Sequence, residues 1–107
     1  MKDLTGEDFT QNVGQAEKKV IVKFYADWCP DCRRTAQGSQ EIATEYSAKA
    51  DFYQVNVDDE RDLAARFDVK GIPSFLVFEQ GSEVARLFSR DAKTNEQIAA
   101  FVRLQLE

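Results

Sequence analysis

The run "KKVIVKFYA", Lys18 to Ala26, limits the possible folds more than any other stretch of the chain. It is dense in β-branched and aromatic residues and shows no regular apolar–polar alternation, the pattern of a strand buried on both faces. Both faces of a sheet are covered only when helices pack on either side of it. A second β-rich run, "DFYQVNVDD", follows after a proline-free stretch from Cys32 to about Ala50. There Ala36, Ile42, Ala43 and Tyr46 fall at helical spacing, so the reading is two parallel strands joined by a crossover helix. "GIPSFLVFEQGSEVARLFS" then predicts two antiparallel strands around a turn near Gly81.

Helix starts can be placed from their capping residues. Thr5 stands three residues before Asp8, and Thr94 three before Gln97, each pair resembling a capping box. Phe9, Val13 and Ala16 share the inner face of the first helix, and Ile98, Phe101, Val102 and Gln105-Leu106 that of the last. In "DERDLAARFDV", Asp59 is the expected N-cap. The predicted order is helix, strand, helix, strand, helix, strand, strand, helix. It makes a single α/β domain over residues 1–107, with a mixed central β-sheet flanked by helices on both faces.

The 107 residues are 43% apolar, with eight Phe, three Tyr and one Trp. That supplies a core without a disulfide framework or structural metal. The net charge of −5, from 19 acidic and 14 basic residues, shows no basic stripe of the kind nucleic-acid binders carry. "MKDLTGEDFTQ" has no apolar segment behind its early charges, and no run approaches bilayer length, so no membrane association and a cytoplasmic location are expected. In that compartment a cysteine pair is more often catalytic or metal-binding than structural. The chain has no histidine, which removes imidazole as ligand and as general base.

Both cysteines lie in "YADWCPDCRR", as Cys29 and Cys32 with Pro30 and Asp31 between them. A strand-to-helix junction gives this spacing a redox rationale. Free backbone N–H groups and the helix dipole favour a thiolate at Cys29, and Cys32 lies within one turn of it. Pro30 in the first turn loses no hydrogen bond. Cys29 is expected at the tip, with Cys32 less exposed beneath it. The alternatives are weaker. A structural zinc site needs four ligands and the chain offers two thiolates and no imidazole, so no metal is expected. Two inert buried cysteines would leave Trp28 and the helix-start position without a reason.

The chain resembles the thioredoxin family along nearly its whole length. The resemblance rests on "LTGEDFTQNV", "VIVKFYADWC", "FYQVNVDDERDLAARFDVKGIPSFLVF" and the final amphipathic helix, in order and in spacing. It implies a thioredoxin fold and reduction of protein disulfides by dithiol–disulfide exchange. Cys29 would be the nucleophile and Cys32 the resolving thiol, the two closing into a redox-active disulfide. Gly71-Ile72-Pro73 resembles the family's cis-proline loop, although an ordinary proline at a strand start is also compatible with the residues. Trp28, Ile72 and Pro73 would then contact the substrate, with Ile72 offering a backbone edge. Further implications are a flavin-dependent reductase as electron donor, no tightly held cofactor and a monomer.

Departures from the family pattern mark the residues that tune the pair. Pro30-Asp31 replaces the usual Gly-Pro, and the Asp31 carboxylate could either oppose a thiolate or simply suit the first helical turn. Lys23 stands where the family places a buried Asp, and Gln54 matches its accompanying Lys. Burying an unpartnered ammonium is costly, so Lys23 is expected to pack its methylenes and carry the charge to the surface. The alternative is an amine beside Cys32 that steadies its thiolate or takes its proton. Gln37 and Gly38 replace a helix-kinking proline, so that Gly38 would let the helix bend, and Ser89 replaces a groove glycine. Asp27, Asp31, Asp58, Asp59 and Glu60 would cluster on the active face. Two other functions fit the residues: a specialised or glutaredoxin-like reductase of small or mixed disulfides, and a non-catalytic binding module.

Overall fold

A computed structural model describes residues 1–107. The buried strand, β2 (Lys19–Tyr25), lies in the middle of a five-stranded sheet of order β1-β3-β2-β4-β5. Its neighbours are β3 (Ala50–Asn56), which is parallel, and β4 (Ser74–Glu79), which is antiparallel. β5 (Ser82–Leu87) closes one edge as the second strand of the hairpin. The hairpin loop is Gln80-Gly81, both with positive φ (51° and 83°), which is the two-residue geometry that matches strand twist. The other edge is β1 (Lys2–Asp3), which pairs with Tyr53 and Gln54 of β3. Two residues carry no periodicity, and β1 is absent from the sequence reading for that reason.

Alternation along β2 divides the core into two layers. Val20, Val22 and Phe24 point into the first, with Leu4, Phe9, Val13, Val55, Leu63, Leu76 and Phe78. Helices α1 (Gly6–Phe9) and α3 (Arg61–Arg66) cover that face. Ile21 points into the second, with Tyr46, Phe75, Val77, Ile98 and Val102, beneath α2 (Pro30–Glu45) and α4 (Asn95–Leu106). Lys23 is on the same side of the strand as Ile21 and is paired with Gln54 on β3 and Phe75 on β4. Its position under α2 follows from the period of two along a strand.

Both expected capping boxes are present, at Thr5 with Asp8 and at Thr94 with Gln97. The first helix continues from α1 into one π-helical turn, Thr10–Gly14. Asp59 is not a cap: α3 begins after Glu60, and no side chain caps it. Glu60 instead accepts the Gly6 N–H at 2.8 Å, holding the start of α1. α2 ends at Glu45, short of the expected Ala50, which opens β3. Gly38 serves close packing, because a Cβ there would lie 2.2 Å from Asn95 Oδ1 at the start of α4.

The loop from α3 to β4 is held from β5. Arg86 donates to the Phe67 carbonyl at 2.7 Å while paired with Glu83, and Asp68 turns through a left-handed φ of 54°. Farther along, Ser89 occupies the space above Gly71, where a Cβ would meet its Oγ at 2.1 Å and its Cβ at 3.0 Å. Ser89 thus packs directly against the Gly71 backbone. We expect Gly71→Ala to destabilise the protein by about 1 kcal/mol or more through this overlap, and Ser89→Gly to restore most of the loss. Urea denaturation of the two single variants and the double variant measures this coupling.

Candidate active site

β2 ends at Tyr25, and the chain crosses the sheet edge through Ala26, Asp27 and Trp28 before α2 begins. Cys29 is the N-cap of α2: its backbone is extended (φ −79°, ψ 116°), and its Sγ accepts the Cys32 N–H at 3.2 Å. Pro30 fills the first helical position, where an N–H would have no partner. The sulfur of Cys29 therefore sits where the helix offers unsatisfied donors and the positive end of its dipole. Across from it the Ile72–Pro73 bond is cis, and the Cys29 thiol donates to the Ile72 carbonyl at 3.6 Å. Both cysteines are free thiols.

The expected difference in exposure between the two cysteines is not found. Cys29 is 4% exposed and Cys32 3%, because Ala26, Tyr25, Val57 and Ile72 pack around both. Burial, and then the hydrogen bond with Cys29, push the Cys32 thiol up to about 12, against smaller opposing effects of the Ala26 backbone and of Lys23. Trp28 is 62% exposed, and its indole N–H donates to Asp58 at 2.8 Å. Asp58 is fixed in turn by a turn in which Asn56 Oδ1 accepts the Asp58 N–H. Asp58 thus anchors the indole, a role that its sequence distance of 30 residues concealed.

Asp31 does not present a bare charge to the sulfurs. Its carboxylate is paired with Arg34 on the same helix and with Lys93 at 3.2 Å, just before α4. Arg34 also donates to the Lys93 carbonyl at 3.0 Å. These hydrogen bonds, Arg34 first and Lys93 second, hold the Asp31 carboxyl below the usual range. Three of the five acids expected on the active face carry structural contacts: Asp31 with Arg34 and Lys93, Asp58 with Trp28, and Glu60 with the Gly6 N–H. Lys93 lies 62 residues from Asp31, and nothing in the local pattern points to it.

Lys23 does not carry its charge to the open surface. The residue is 3% exposed, and its ammonium, without a hydrogen bond or ion pair, lies 5.7 Å from the centre of the Tyr25 ring. It lines a cleft of about 500 Å³ together with Cys32, Tyr25, Asp27, Arg33 and Gln54. No polar side-chain atom is sealed away without a partner, so the unpaired nitrogen keeps a contact with water. Gln54, its neighbour on β3, donates to Asp3 at 3.0 Å and is already engaged. Burial is the main influence on Lys23 and lowers its proton affinity, while the two cysteine sulfurs work the other way.

A thiol capping a helix, a second thiol one turn on and a cis-proline loop facing the first sulfur define a dithiol–disulfide exchange site on an α/β scaffold. Comparison with known proteins gives the same class. The thioredoxin family model matches residues 1–104. A thioredoxin of Mycoplasma genitalium is 40% identical over 78% of this chain and 81% of its own. Thioredoxin C-2 of Corynebacterium nephridii is 34% identical over 92% and 89%, and a thioredoxin of Pseudomonas aeruginosa 31% over 94% and 91%. The chain belongs to the thioredoxin family.

The depressed proton affinity of Lys23 has a stability consequence. The unfolded chain binds more protons at this residue between its lowered folded value and the ordinary 10.5, so stability from Lys23 rises with pH across that window. Cys32 works oppositely: its raised folded value means stability is lost as pH climbs above the ordinary 9.0. Below that point Lys23→Met is expected to stabilise the protein by about 1–3 kcal/mol and to remove the alkaline-side rise. Urea midpoints from neutral pH upward read both effects.

Proposed function

We propose that the protein reduces disulfides of protein substrates, with Cys29 as nucleophile and Cys32 as resolving thiol. The observation that carries this reading is the Cys29 sulfur itself, seated on the α2 N-terminus within 3.2 Å of the Cys32 N–H and facing the Ile72 carbonyl. Cys29 attacks a substrate disulfide and forms a mixed disulfide, releasing one substrate thiolate. Cys32 then displaces the second substrate sulfur and closes the Cys29–Cys32 disulfide. Oxidation of the pair matches reduction of the substrate.

The surroundings support capture of an extended chain. Trp28 offers an exposed apolar face beside the sulfur, held in orientation by Asp58. Ile72, with Pro73 buried beneath it, supplies a backbone edge for pairing with a substrate segment. Pro30 begins the helix, and Asp31, neutralised by Arg34 and Lys93, leaves the thiolate little opposing charge. No helix is long and apolar enough to cross a membrane. The reading assigns the protein to the cytoplasm as a monomer, with electrons returned by a flavin-dependent reductase.

Insulin reduction, driven in turn by a thioredoxin reductase and by glutathione, tests this assignment. Turnover is expected with the reductase and is expected to fall to background in Cys29→Ser. Cys32→Ser should accumulate a mixed disulfide, visible as a mass increase equal to the captured chain. Turnover of Cys29→Ser at the parent rate would overturn the reading, and efficient reduction with glutathione alone would redirect it to a glutaredoxin-like activity.

A further inference from the structure

Release of substrate requires Cys32 to give up a proton, yet the residue is 3% exposed and its burial opposes the charged thiolate. A group able to take that proton must face the cleft that Cys32 lines. The titratable and charged groups there are Lys23 and Tyr25 from β2, Asp27 from the connecting loop, Arg33 from α2 and the Met1 amine. Asp27 is an exposed carboxylate, far too weak a base toward a thiol. Arg33 stays protonated throughout. The Met1 amine is turned to Gln40 of α2, and no contact joins it to Cys32. Tyr25 donates its hydroxyl proton to Asp3, and burial followed by the Asp3 charge makes it harder to ionise. Cys29, the remaining neighbour, is tied up in the mixed disulfide at this stage.

Lys23 is the one group free for the task. Its side chain is buried, its nitrogen has no hydrogen-bond partner, and the residue lines the same cleft as Cys32. Resting on the exchange reading above, we propose that Lys23, as the neutral amine, takes the proton from Cys32 when Cys32 attacks the Cys29 mixed disulfide. The Cys32 S–H bond breaks and an N–H bond forms on Lys23. The Cys32 thiolate forms the S–S bond to Cys29 as the Cys29–substrate S–S bond breaks. The substrate sulfur leaves with the electron pair and is protonated by solvent, and the Lys23 ammonium returns its proton to water in the cleft. Two electrons pass from the dithiol to the substrate. The lowered proton affinity of Lys23 keeps a larger share of neutral amine than a surface lysine would have.

Stopped-flow reaction with dithionitrobenzoate separates the two steps, since each releases one coloured thiolate: the first on capture by Cys29, the second on release by Cys32. Lys23→Met and Lys23→Arg are compared with the parent across pH. Capture is expected to change by no more than about twofold, while release slows by about a hundredfold near neutral pH in both variants and its profile shifts to higher pH. Arginine keeps a positive charge but accepts no proton. Parent-like release in Lys23→Arg would therefore reduce Lys23 to a fixed charge and overturn the proposal. So would parent-like release in Lys23→Met. If neither variant folds, the parent decides: a release rate with no inflection below the ionisation of the Cys32 thiol overturns it. Loss of the capture phase in the parent would instead mean that the exchange reading itself had failed.

Discussion

Burial of β2 on both faces is the constraint from which the other features follow. A central strand with apolar residues on each side needs helices above and below, and its period of two assigns every residue to one layer or the other. Val20, Val22 and Phe24 build the layer under α1 and α3, while Ile21 and Lys23 face α2. The same strand delivers the chain to the sheet edge where α2 begins, so the position of Cys29 and the position of Lys23 have one origin. A shift of one residue in register would move both.

The site is a helix terminus whose electrostatics are completed from elsewhere in the chain. Its own residues supply the sulfur, the amide donor and the proline at the first position. The loop before β4 supplies the Ile72 carbonyl, and the approach to α4 supplies Lys93. Asp31 would otherwise oppose a thiolate two residues away; tied to Arg34 and Lys93, it serves instead to dock α2 against the start of α4. Its charge is thus turned from a liability for the sulfur into a tertiary contact. The exposure of the two thiols is nearly equal, and what marks Cys32 is the burial and the hydrogen bond with Cys29 that make its thiol hard to ionise.

Elements with many in-phase residues were legible in the sequence. The strands, the crossover helix, the hairpin and both capping boxes follow from short-range periodicity and stereochemistry. The departures occur where fewer residues set the outcome. β1 has two residues, Asp59 competed with Glu60 for a helix start that no side chain caps, and the end of α2 was set by where β3 had to begin. Ser89 could be identified as unusual, but its contact with Gly71 depends on two loops meeting. Asp58 and Lys93 left no local trace of their roles, because their partners are 30 and 62 residues away.

By itself the sequence determined the layered α/β domain, the cysteine pair on a helix start and the family to which the chain belongs. The first two depend on hydrophobic period, turn chemistry and spacing, which act over a few residues, and the last on a resemblance that runs along nearly the whole chain. Only the tertiary structure decided what surrounds the sulfurs: the Ile72 carbonyl, the anchored Trp28, the paired Asp31 and the buried Lys23. The fate of a charge depends on the volume around it and on partners brought in from distant segments. A lysine in a strand is written the same way whether its nitrogen ends in open solvent or in a cleft beside a thiol.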